Sequence, residues 1–97
     1  MVFLIFEVTP GPNHPEVDDI GGAFVSCWID RPTLQEAERV ARDFISQEGW
    51  VVGDFDEAYP VDDAAYPSGS IGRPRFEQAL VDREVFLFHT YPVVDHD

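Results

Sequence analysis

Lysine is absent from this chain, and its six permanently positive side chains are all arginines, set against nineteen Asp and Glu. The formal net charge is −13 at pH 7, and the sequence pI is about 4.2. An acidic excess of this size keeps a small protein soluble and repels nucleic acids and anionic membranes. The composition therefore predicts neither a nucleic-acid ligand nor membrane binding, and it favours a basic protein partner.

Cysteine is scarce as well, because Cys27 is the only one in the chain. A single cysteine excludes an internal disulfide and a zinc site built from several thiolates. The apolar run at residues 2–6 is too short to span a bilayer, and no basic segment precedes it as in a signal peptide. We expect a soluble, cytoplasmic protein.

Motifs for catalysis, metals and cofactors are missing too. The chain has no HExxH motif, no Walker loop, no GxGxxG motif and no calcium-binding loop of the EF-hand type. His14, His89 and His96 could join Asp95 or Asp97 as metal ligands, but their spacing matches no zinc motif. We predict no catalytic residue, no metal site and no cofactor.

Two weaker candidate sites have ordinary structural explanations. Cys27 follows the inward pattern of a strand, where a thiol acts as a small apolar group, and as a nucleophile it would need a base such as His89. The Gly-Ser turn at residues 68–72 precedes Arg73 and Arg75 and could hold an anion. Arginines in such loops commonly pair with neighbouring acids, so we expect a plain loop there.

The chain does contain enough apolar side chains to fold. Its 97 residues are 44% hydrophobic and 13% aromatic, which is typical of one globular domain, here residues 1–97. Alternating apolar residues predict strands over 2–9, 23–30, 50–59 and 84–91. Thr33 and Glu36 form a capping box before an apolar stripe that predicts a long helix ending at Gly49. Pro74 begins a shorter helix after an irregular segment over 60–73, and Phe76, Ala79 and Leu80 are expected to face inward.

The order of these elements, β-β-α-β-α-β, predicts the α+β class. We expect a two-layer sandwich: a sheet of about four strands, mostly antiparallel or mixed, with one long and one short helix on one face. The architecture resembles the ferredoxin-like plait or a permuted relative, although a plait runs β-α-β-β-α-β. The resemblance is one of architecture and implies no functional residue.

The predicted strands are apolar on both faces, and two helices on one face would leave the other uncovered. A large exposed apolar area on a small protein usually marks an interface. The candidate interface residues on this second face are Phe3, Ile5, Phe24, Trp28, Phe86 and Phe88. In the alternative interpretation, flanking loops fold over this face and complete the core.

These observations predict a small acidic, non-enzymatic protein-binding domain. It would act as an inhibitor or immunity-type protein toward a partner that is possibly basic, or it would form a homodimer through the sheet face. The alternative is a small enzyme or ligand-binding plait domain, with His89, Cys27 and Tyr91 as its first candidate residues. Its acidity would then reflect adaptation to salt or to a GC-rich genome.

Overall fold

The structure is a computed structural model that describes residues 1–93, so Asp95, His96 and Asp97 lie outside the described residues. It contains four strands and two α-helices, with a 3₁₀ turn at Asp63–Ala65. In chain order these are β1 (Val2–Pro10), β2 (Ile20–Ile29), α1 (Leu34–Gln47), β3 (Trp50–Pro60), α2 (Arg73–Asp82) and β4 (Glu84–Pro92).

The four strands form one sheet in the order β3-β1-β2-β4, and every neighbouring pair is antiparallel. The connection through α1 therefore carries the chain from β2 across β1 to the edge strand β3. The predicted α+β class and four-stranded antiparallel sheet are confirmed. The ferredoxin-like order is not confirmed, because the two central strands follow each other directly in the chain.

Helix α1 begins and ends where the local sequence predicts. The Thr33 hydroxyl accepts a hydrogen bond from the Glu36 backbone N–H at 3.2 Å, which satisfies one free donor of the first turn. Gly49 follows the helix at φ +92°, a conformation that suits glycine. Between them, Ala37, Ala41 and Ile45 are fully buried, and the two small alanines let the helix approach the sheet closely.

The main core lies between α1 and one face of the sheet, here called the first face. Side chains alternate along each strand, so this face carries every second residue of the two central strands. Its fully or almost fully buried members are Val2, Leu4, Phe6 and Val8 from β1, and Ala23, Val25, Cys27 and Ile29 from β2.

The intervening strand residues point to the second face, where a separate apolar cluster forms. Phe3 and Trp28 lie opposite each other in the β1–β2 register and pack with Val61 and Ala79. Val61 comes from the segment after β3, and Ala79 comes from α2. The irregular segment and the short helix therefore cover one end of the second face. The two helices thus pack on opposite faces of the sheet, not on one face as expected.

Helix α2 buries fewer of its apolar residues than the sequence predicts. Phe76 and Ala79 are buried as predicted, but Leu80, which was also expected inside, is 53% exposed. The helix ends at Arg83, which adopts a left-handed φ of 74°. Its backbone N–H bonds to the Ala79 carbonyl, and its own carbonyl accepts from the Asp30 N–H at 2.7 Å, which fixes the helix end to the end of β2.

Candidate functional site

Two of the six candidate interface residues, Phe3 and Trp28, are closed off from solvent. They are 8% and 6% exposed, and their rings pack with centroids 5.0 Å apart. Tyr59 lies beside Phe3 at 5.4 Å, and the Trp28 indole N–H donates to the Tyr66 hydroxyl at 3.1 Å. The expectation that they form part of an exposed face is wrong, because the segment after β3 folds over them.

Phe86 and Phe88 lie on the first face, so their predicted place on the second face is also wrong. In the register, Phe86 lies opposite Cys27 and Phe88 opposite Val25, both of which point toward α1. The Phe86 ring stacks on Phe44 of α1 at 4.1 Å and an interplanar angle of 11°. Alternation shows which residues of one strand share a face, but only the register between strands shows which face that is.

Ile5 and Phe24 do lie on the second face, and Phe24 lies beyond its covered end. Ile5 is half-buried at the margin of the Phe3–Trp28 cluster, and Phe24 is 41% exposed. Phe24 pairs with Glu7 on one side and with His89 on the other, and its ring lies 5.8 Å from that of Tyr91. We call Glu7, Phe24, His89 and Tyr91 the open half of the second face, and Phe3, Trp28, Val61, Tyr66 and Ala79 its covered half.

Carboxylates flank the open half. The Tyr91 hydroxyl donates to Glu7 Oε2 at 2.8 Å, and this bond to the carboxylate raises the pKa of Tyr91. Glu57 of β3 lies opposite Ile5 in the register, so it points to the same face, and it is exposed. The open half therefore presents an aromatic surface bordered by negative charge.

Cys27 has no partner for nucleophilic chemistry at hand. Its thiol is fully buried on the first face, and burial raises its pKa to about 12. The Cys27 thiol donates to the Val25 carbonyl at a sulfur–oxygen distance of 3.7 Å. His89 is exposed and points to the opposite face, so the sheet itself separates the two side chains.

The histidines do not converge either. His14 lies in the loop between β1 and β2, where its Nδ1 accepts from the Glu16 N–H at 3.1 Å, while His89 lies on the second face. Within residues 1–93, no group of three or more His, Cys, Asp or Glu side chains is placed to hold a metal ion. His96, Asp95 and Asp97, the other candidate ligands, fall beyond that range.

Arg73, the arginine after the Gly-Ser turn, pairs with acids of its own chain. Its guanidinium lies 2.6 Å from Asp63 and 2.9 Å from Glu77, and it also donates to the Tyr66 carbonyl at 2.9 Å. The hydrogen bonds to these carboxylates raise its pKa further. This arginine fastens the covering segment to α2, as expected of a plain loop.

A cleft that the sequence did not indicate opens on the first face, beside the C-terminal end of α1. It has a volume of about 350 Å³ and is lined by His14, Pro15, Phe44, Glu48, Trp50 and Phe88. Trp50 begins one edge strand and Phe88 lies in the other, yet their rings stack at 5.8 Å over the central strands. Four chain segments supply the lining, so no local pattern could have revealed this aromatic cleft.

No protein-family model matches this chain, and comparisons with curated proteins and with solved structures also give no match. None of the helices within residues 1–93 is long and apolar enough to cross a membrane.

Proposed function

We propose that this chain is a non-enzymatic protein-binding domain that binds a basic partner through the open half of its second face. The observation that carries the proposal is Phe24, an aromatic side chain 41% exposed in a central strand, with Tyr91 beside it and Glu7 and Glu57 around it. Exposed aromatic groups are common anchors of protein interfaces, and bordering charges select and steer the partner.

The charge favours a basic partner over a second copy of the chain. A homodimer through the open half would bring Glu7 and Glu57 of one copy near the same residues of the other. Each copy also carries a formal net charge of −13, so long-range repulsion opposes this association. A partner with Lys or Arg around an apolar pocket would gain from both features of the surface.

The non-enzymatic part of the proposal is supported by the separation of the candidate reactive groups. Cys27 is buried on the first face, and His89 and Tyr91 are on the second. A catalytic cysteine needs a lowered pKa and a base within reach, whereas the pKa of Cys27 is raised.

The test is capture of proteins from a lysate of the source cell by the immobilised chain, at low and at high salt. We expect a basic protein whose retention falls at high salt and is lost with Phe24→Thr, a change that keeps a strand-compatible residue. The matched control is Ile71→Thr, which alters an apolar side chain that is 99% exposed but lies away from the sheet face.

Two results would contradict the proposal. Retention that ignores both salt and Phe24→Thr would show that the open half is not the binding surface. A stable homodimer of the isolated chain that Phe24→Thr dissociates, measured by light scattering, would show that this surface binds a second copy.

A further inference from the structure

The aromatic cleft has walls suited to a positively charged ligand. Phe44 and Phe88 are half-buried and provide ring surfaces. Trp50 is 9% exposed, and its ring packs against those of His14 at 4.5 Å and Phe88 at 5.8 Å. The faces of such rings carry negative electrostatic potential and attract cations within about 6 Å. The volume of about 350 Å³ is at the small end of ligand sites, which suits a compact head group.

The electrostatics of the cleft have the same sign. Glu48, the C-cap residue of α1, is exposed and lines the cleft. The last turn of α1 contains no basic residue, so the partial negative charge of the helix C-terminus is not offset locally. The six lining residues include no arginine, and no arginine within residues 1–93 forms an ion pair with Glu48.

Elsewhere the chain places its own cations over aromatic rings. The Arg42 guanidinium lies 5.2 Å from the centre of the Phe6 ring, and that of Arg73 lies 5.4 Å from the Phe76 ring. In both cases a carboxylate also holds the arginine: Glu38 at 2.7 Å for Arg42, and Asp63 and Glu77 for Arg73. The cleft repeats this combination of aromatic ring and carboxylate, but its lining contains no arginine.

We infer that the aromatic cleft binds an organic cation, the alkylammonium or guanidinium group of a small molecule or of a basic side chain on another protein. The exposed parts of the Phe44 and Phe88 rings would contact the cation, and Glu48 would pair with it at the rim. The cleft lies on the first face, so this inference does not depend on the open half of the second face.

The test is an NMR titration of the whole labelled chain, which contains two tryptophans with separate indole signals. Trp50 lines the cleft, and Trp28 lies in the covered half of the second face and serves as an internal control. The probes are choline, N-acetylarginine amide, and 3,3-dimethylbutan-1-ol, which is a neutral isostere of choline.

We expect at least one of the two cations to shift the Trp50 signal saturably, at least fivefold more tightly than the neutral alcohol does, while the Trp28 signal stays in place. Tighter binding of choline would indicate a free quaternary ammonium ligand. Tighter binding of the arginine amide would indicate a side chain presented by a protein.

Glu48→Gln should weaken the cation by roughly three- to tenfold without changing the affinity for the alcohol, because a partly screened charge pair is lost. Asp43→Asn is the matched control, since it removes the same charge from an exposed position of the same helix that does not line the cleft. Binding of both cations no tighter than that of the alcohol, equal shifts of both tryptophans, or no saturable shift with either cation would overturn the inference.

Discussion

The two halves of the second face differ although β1 and β2 run through both. At one end Phe3 and Trp28 are buried under Val61, Tyr66 and α2, and at the other Phe24 remains 41% exposed. The difference comes from the chain between β3 and β4, which reaches only one end of the sheet. Aromatic strand residues are therefore buried and stabilise the fold where that segment covers them, and they remain exposed where it does not.

Truncating one aromatic side chain in each half should give two very different losses of stability. Trp28→Ala removes a buried ring that packs on Phe3 and donates to Tyr66, so we expect it to lower the free energy of unfolding by about 3–5 kcal/mol. Phe24→Ala removes a partly exposed ring and should cost less than about 1 kcal/mol. Urea denaturation of both variants measures the difference, and equal losses would mean that the two halves are not distinct.

A smaller effect is expected when the covering segment is loosened. Arg73 ties Asp63 and the Tyr66 carbonyl to α2, so Arg73→Gln should raise hydrogen exchange over residues 61–72 by roughly fivefold. The exchange of the central β1 and β2 amides should stay unchanged. Arg75→Gln, a neighbouring exposed arginine, is the control, and unchanged exchange in Arg73→Gln would show that the segment is held by apolar packing alone.

The smallest effect concerns ionisation in the open half. The hydrogen bond to Glu7 raises the pKa of Tyr91, so Glu7→Gln should lower that pKa toward its ordinary value near 10. Because the folded pKa is above the unfolded one, the stabilisation is complete below about pH 10 and is lost as pH rises through the folded pKa. An absorbance titration of tyrosine in wild type and Glu7→Gln measures the shift, and identical curves would contradict the contact.

The parts of the fold that depend on local chemistry could be predicted from the sequence. Thr33, Glu36 and Gly49 determine the ends of α1 through capping and backbone conformation, and the structure follows them. The sequence predicts Leu80 inside because it follows Phe76 by four residues, but in α2 only Phe76 and Ala79 are buried.

The location of the candidate sites could not be predicted in the same way. Phe86 and Phe88 alternate like any strand residues, and only their register with β2 places them under α1. The aromatic cleft draws its lining from a loop, a helix end and two edge strands that are far apart in the chain. The acidic composition suggested a basic partner, but the open half emerged only from the path of the segment after β3.

NMR line broadening by a neutral, soluble paramagnetic probe measures the solvent accessibility of side chains on both halves of the second face. The ring signals of Phe24 and Tyr91 should broaden strongly, while those of Phe3 and Trp28 should be protected to the same extent as Phe6 in the main core. Equal broadening of Phe3, Trp28 and Phe24 would contradict the division of this face into a covered and an open half.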